Sequence, residues 1–365
     1  MLNKSTLRKW ALGLCFGPTA ARCPAQNAYV PNVVNNTVSV INTVTNAVTG
    51  SIAVGSGPQG VAITPDGGRV FIANQSGNSV SVINTATNTV TATVSVGIFR
   101  PQGLAVTPDN TKVYVANSAN NTVSVINIAT NTVTAMVNVG LFPVGVVVAP
   151  GGGKVCVANR DNTVSVISTA TNTVTASVAV GLQSAGLAVT SDGTKVYVAN
   201  EGGNTVSVIN TATNTVTATV NLPPFAPNGP FGIVVIPDGS KVYVSTIGAG
   251  TVSVIDTATN TVTATVNVGS FPSGVAVTPD GSKVYVVNNF SSTVSVISTA
   301  NNLVTTTIPL GFAPAALGAF IGPSPALPAT PAPSTLLLTL VGLTGVSIAE
   351  MRRHAARKKE DRVAL

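Results

Sequence analysis

Imidazole is nearly missing from this chain. The single histidine of its 365 residues, His354, stands in a basic cluster near the C-terminus. The body before it has no imidazole to ligate haem or copper, and no Ser-His-Asp arrangement. Carboxylates alone can hold calcium, but Asp66, Asp109, Asp192, Asp238 and Asp280 recur singly at one position of a regular pattern. The three cysteines, Cys15, Cys23 and Cys156, lack metal-ligand spacing. Cys156 falls where most repeats have Tyr or Phe, and reads as a buried, inert thiol. These residue types lead us to expect no catalytic residue, no metal and no cofactor.

Charge narrows the function classes further. Only 8% of residues are charged, against roughly 25% in an average protein. The net charge of +7 comes from the two ends; between residues 27 and 349 eight basic residues face eight acidic ones. Nucleic-acid binding needs a clustered basic surface, so no nucleic-acid partner is expected. Most charges are regular: the five aspartates share one turn, and Arg69, Lys112, Lys154, Lys195, Lys241 and Lys283 follow it at a fixed distance, as turn chemistry and surface charge. Asp256 replaces the Asn of the next turn, and four charges fall outside this pattern: Arg100, Arg160, Asp161 and Glu201.

What positions them is a repeat. The segment V-S-V-I recurs with its Ile at 41, 83, 126, 167, 209, 255 and 297, spaced 42, 43, 41, 42, 46 and 42. A second landmark begins at Tyr29, Phe71, Tyr114, Cys156, Tyr197, Tyr243 and Tyr285. A third begins at Gly60, Gly103, Gly145, Gly186, Gly232 and Gly274, with a degraded copy near Ala316. One unit reads as four short strands. In 274–310, GVAVTP is strand one, Asp280-Gly281 marks a hairpin, KVYVVN and TVSVI are strands two and three, and LVTTTIPL is strand four. Small residues suit strand one for the crowded centre. The alternation of Val216, Ala218 and Val220 with Thr215, Thr217 and Thr219 suits an outer strand with one wet face. Asn74, Asn117, Asn159, Asn200 and Asn288 close strand two and are expected to bond to nearby backbone.

The expected fold is all-β: a seven-bladed β-propeller over residues 29–322, with four-stranded antiparallel blades, closed by N- and C-terminal strands that share one blade. An open β-solenoid would need caps that the sequence does not supply. The core Y-V-A-N, followed by N-T-V-S-V-I-N-T-A-T-N-T-V, resembles the YVTN-type propeller repeat of bacterial and archaeal envelope proteins. That resemblance implies a propeller outside the cytoplasm and no single activity. A WD40 pattern is not present; the only Trp is Trp10.

The ends read as addresses. Residues 1–25 have the basic, apolar and small-residue order of a signal peptide. Residues 323–333 form a Pro-rich linker, 334–349 an apolar transmembrane or sorting helix, and 350–365 a basic cytoplasmic tail. The stretch PAPSTLLLTLVGLTGVSIAEMRR resembles a PEP-CTERM-type sorting signal, departing from it at Ala332, where that motif carries Glu. An exported, membrane-anchored monomer of the cell envelope is expected.

In a propeller the loops joining strands two and three, and strand four to the next strand one, share one face. Arg100, Arg160, Asp161 and Glu201 fall there, with Phe99, Phe142, Phe225, Phe231, Phe271, Phe290 and the insertion 221–231. These ten residues form the candidate interaction face, whose expected partner is a protein or polysaccharide at the cell surface. The opposite face carries near-identical turns. Two alternatives stay open. An exported lactonase-type or dehydrogenase-like enzyme would need carboxylates around the central channel; a nucleic-acid binder would need a basic body.

Overall fold

The computed structural model describes residues 26–223, 229–310 and 313–323. The predicted leader, most of the linker, the apolar segment and the basic tail lie outside the described residues. Among the described residues no helix is long and apolar enough to cross a membrane.

Six four-stranded antiparallel sheets and one three-stranded sheet follow one another in chain order. Blade 1 consists of Pro58–Ile63, Arg69–Asn74, Ser79–Asn84 and Thr89–Ser95. Blades 2 to 6 repeat this at 101–138, 143–179, 184–221, 230–267 and 272–309. Blade 7 starts the chain, with Asn27–Asn32, Thr37–Asn42 and Ala47–Ala53. Its innermost position is taken by the C-terminal segment. That segment is not a regular strand: it meets the first strand at two bridges, Ala28 with Ile321 and Asn32 with Pro314. Tyr29 N–H donates to the Phe320 carbonyl at 2.9 Å and Ala315 N–H to the Pro31 carbonyl at 3.0 Å. Leu317 bridges onward to Gly60 of blade 1, so the two chain ends close the ring.

Strand one begins two residues earlier than the sequence suggests, at Pro58 or Pro272 rather than at the following glycine. Proline is tolerated at the first residue of a strand. At its other end the threonine leaves the ladder to build the turn. The Thr107 hydroxyl donates to Asp109 at 2.5 Å and accepts the Lys112 N–H at 3.0 Å. That hydroxyl first, then Thr111, holds the Asp109 carboxyl below the usual carboxylate range.

Strand one carries glycine because the inner strands crowd each other. A Cβ at Gly60 would run into the Gln102 carbonyl oxygen of the next blade, and one at Gly103 would meet that of Val144. Strand four alternates as expected: Thr215, Thr217 and Thr219 are exposed while Val220 is buried. A bulge recurs where strands three and four pair, and in blade 4 Thr217 is the extra residue.

Two features were not visible in the repeat. The basic residue opening strand two is a latch to the next blade. Lys112 Nζ donates to the Thr169 carbonyl at 2.8 Å, Lys154 to Thr211 at 2.7 Å and Arg69 to Ile128 at 2.7 Å. The tyrosine two residues later is a second latch: Tyr114 Oη donates to Asn172 Oδ1 at 2.8 Å and Tyr243 to Asn302 at 2.6 Å. The asparagines closing strand two also differ from expectation. Their amides reach strand-three hydroxyls rather than backbone; Asn74 Nδ2 donates to Ser79 and Ser81 at 3.1 and 2.9 Å. A side chain pointing along the blade meets the hydroxyls of the neighbouring strand before any free carbonyl, since the ladder uses those.

Candidate functional site

The first strands of blades 1 to 6, together with the C-terminal segment 316–321, enclose a central cavity of ≈ 340 Å³. Among the described residues its wall is built of Ala, Gly, Val, Leu and Ile alone, and none of these carries a titratable group. Among the described residues no three of His, Cys, Asp and Glu come together to hold a metal ion. Cys156 is buried, and that burial pushes its thiol up to about 11.

The loop face is different. The loops entering strand one of blades 1 to 4 are each pinned by an asparagine of the preceding blade, as where Asn36 Oδ1 accepts the Gly57 N–H at 2.9 Å. Asn78 Oδ1 accepts the Arg100 N–H at 3.1 Å, Asn121 that of Phe142 at 2.9 Å, and Asn162 that of Gln183 at 2.7 Å. The pinned residue sits in the left-handed region, with φ 50° at Arg100, 51° at Phe142 and 54° at Gln183, and Phe271 adopts the same conformation at φ 59°. Blade 1 has Gly57 there, at φ 64°. For a bulky side chain this backbone is costly and is maintained only by its surroundings. The pinned turn aims the side chain outward, and Arg100 and Phe142 are exposed.

The ten candidate residues fall into distinct roles. Arg160 Nη2 and Glu201 Oε2 form an ion pair of 2.7 Å between blades 3 and 4, in which Glu201 is only 13% exposed. Asp161 is a loop clamp: it accepts from the Thr163 hydroxyl at 2.6 Å and from Leu141 N–H at 2.7 Å. Phe271 and Phe290 stack, with ring centroids 4.3 Å apart and planes at 17°. The Phe99 ring covers Gly97 and is half-buried. Phe231 is half-buried on strand one of blade 5, beside the channel-lining Gly232. Phe225 lies outside the described residues.

Sequence reasoning missed four exposed apolar residues on the same face: Val34, Ile98, Leu141 and Leu182, with Ile98 84% exposed. The signal was available. The recurring Val-Gly after strand four is followed by Ser56 and Ser270 in blades 1 and 6, but by Ile98, Leu141 and Leu182 in the loops entering blades 2, 3 and 4. On the opposite face Val44 is the one exposed large apolar residue among those described. The remainder lie on outer strands.

Two family models match parts of the chain: the YNCE-like β-propeller over residues 11–112 and the seven-bladed lactonase β-propeller over residues 186–306. The chain is a seven-bladed β-propeller. It is similar to hydrazine synthase of Kuenenia stuttgartiensis, at TM-score 0.69 and 25% identity, covering 74% of this chain and 92% of that one. It is also similar to a functionally unknown protein from Desulfotomaculum acetoxidans DSM 771, at TM-score 0.70 and 21% identity, covering 82% and 98%. PE-PGRS family protein PE_PGRS18 of Mycobacterium tuberculosis (strain ATCC 25618 / H37Rv) is 62% identical over 42 residues, about one repeat. That match spans 12% of this propeller chain and 9% of the relative.

Proposed function

We propose that this propeller is an exported, non-catalytic binding scaffold of the cell envelope or extracellular matrix, engaging its partner through the loop face. One observation carries the reading. Exposed Val34, Ile98, Leu141, Phe142, Leu182 and Phe290 gather on that face, while the turns of the opposite face expose Val44. Apolar side chains concentrated on one face of a soluble-looking ring mark an interaction surface. The left-handed backbone at Arg100, Phe142 and Phe271 supports it, because glycine would serve the same turn without strain. The leader and the apolar C-terminal segment read from the sequence would carry the propeller outside and tether it there.

The lactonase match over 186–306 favours a second reading, an exported hydrolase. The aliphatic wall of the central cavity offers that chemistry no acid, base or nucleophile.

The test is retention of the full chain on envelopes washed with detergent, which removes any contribution of a bilayer anchor. Replacing Ile98, Phe142 and Phe290 together by serine is expected to weaken retention tenfold or more, whereas Val44→Ser leaves it unchanged. Equal retention by the two variants overturns the reading.

A further inference from the structure

The stacked pair Phe271 and Phe290 stands at the edge of a groove, and the groove has a definite chemistry. Its shallow volume of ≈ 490 Å³ lies on the loop face across blades 6, 7 and 1. Val34, Gln59, Asn289, Phe290, Ser292 and Ala313 contribute to its wall. Phe290 is 72% exposed, yet it is not loose. With the two planes 17° apart, one face of its ring rests on Phe271 and the other is left open. That arrangement is a rigid flat platform, presented with little rotamer freedom left to lose on binding.

The rest of the wall is polar and uncharged. Asn289 Nδ2 donates to the Pro314 carbonyl at 2.8 Å, which fixes its amide and leaves Oδ1 as an acceptor. Neither the Gln59 amide nor the Ser292 hydroxyl has a side-chain hydrogen-bond partner among the described residues. Among the described residues no ionised side chain lines the groove. A phosphate, nucleic acid or sulfated chain would find no cation to meet it. A wholly apolar segment would strand the amides and the hydroxyl. A pyranose ring fits both halves. Its C–H face lies against an aromatic face, and its rim hydroxyls exchange hydrogen bonds with amides and a serine.

We infer that this groove binds a sugar unit of an uncharged polysaccharide, with Phe290 as the stacking platform; the inference rests on the loop face being the binding surface. The chemistry requires neutrality and ring stacking, and leaves the particular sugar to experiment.

Native electrophoresis of the full chain through gels containing dissolved amylose, dextran, galactomannan or hydroxyethyl cellulose tests it, with heparin as the charged comparator. Retardation by at least one neutral polymer is expected. Phe290→Ala should weaken it tenfold or more, Phe290→Trp should preserve it, and Val44→Ser, on the opposite face, should leave it unchanged. No retardation by any neutral polymer, retardation by heparin alone, or equal retardation of the Phe290→Ala variant overturns the inference. Should that happen while the loop-face serine variant still loses envelope retention, the binding face stands and only the sugar falls. If neither measurement responds to the substitutions, both are wrong.

Discussion

Tyr285 Oη donates to Asn46 Oδ1 at 2.5 Å, across a sequence separation of 239 positions. Beside it Lys283 Nζ reaches the Thr43 carbonyl at 3.0 Å. The joint that links blade 4 to blade 5 through Tyr197 and Asn260 thus also joins blade 6 to the blade formed by the N-terminus. Removing the Tyr285 hydroxyl leaves a sheltered acceptor without its donor, which costs about 1–3 kcal/mol. Tyr285→Phe is expected to lower the unfolding free energy by that amount. It should also speed amide exchange in 27–32 more than Tyr197→Phe does, because that strand is held near the closure. Equal exchange in the two variants would show that the joint has no special part in closing the ring.

Phe71 occupies the tyrosine position of blade 1, and its counterpart acceptor, Asn131 Oδ1, is buried with no hydrogen-bond partner. Phe71→Tyr supplies the missing donor. A gain of about 1 kcal/mol in denaturant stability is expected. A loss would mean that the ring and the amide are not aligned as they are in the other blades.

Burial first, and a nearby carboxylate second, push the Tyr114, Tyr243 and Tyr285 phenols up to about 12. The unfolded chain releases these protons near pH ~10, so between ~10 and ~12 the native state binds more protons than the unfolded state. The stability they lend is complete below about pH 10 and declines as pH rises through that window. Denaturation midpoints measured from neutral pH upward should stay level and then fall, and the fall should be shallower in a Tyr114→Phe, Tyr243→Phe variant. A level profile to pH ~12 contradicts the burial of these phenols.

Two glycines should respond in opposite directions. Gly60→Ala drives a methyl into the Gln102 carbonyl and is expected to cost about 1–3 kcal/mol. Gly50, on an outer strand, has nothing within 4 Å of its would-be Cβ. Gly50→Ala should stabilise by about 0.4–1 kcal/mol through the unfolded chain. Similar changes at both sites would show that the inner strands are not in contact.

The seven blades were legible because V-S-V-I and its companions recur at nearly constant spacing, and the shared blade was legible because the repeat starts and stops out of phase. The latches were not. Lys112 and Thr169 lie 57 residues apart and Tyr197 and Asn260 lie 63 apart, distances that match no repeat length. They depend on how far one blade is rotated against the next, which a linear period does not encode. The face was legible as a set of irregular loops, but the roles within it were not. Arg160 and Glu201 stood apart in sequence and pair in space, and Asp161 spends both oxygens on its own loops. The exposure of Ile98 and Leu182 follows from turns that point outward, and composition alone says nothing of that.

The most direct test of a single recognition face is an amide-exchange footprint of the full chain with and without isolated envelope material. Protection is expected in 97–100, 140–142, 181–183 and 289–292, with no change in the opposite turns 43–46, 85–88 and 129–131. Protection confined to those opposite turns or to the outer strands, or none anywhere, would contradict the account.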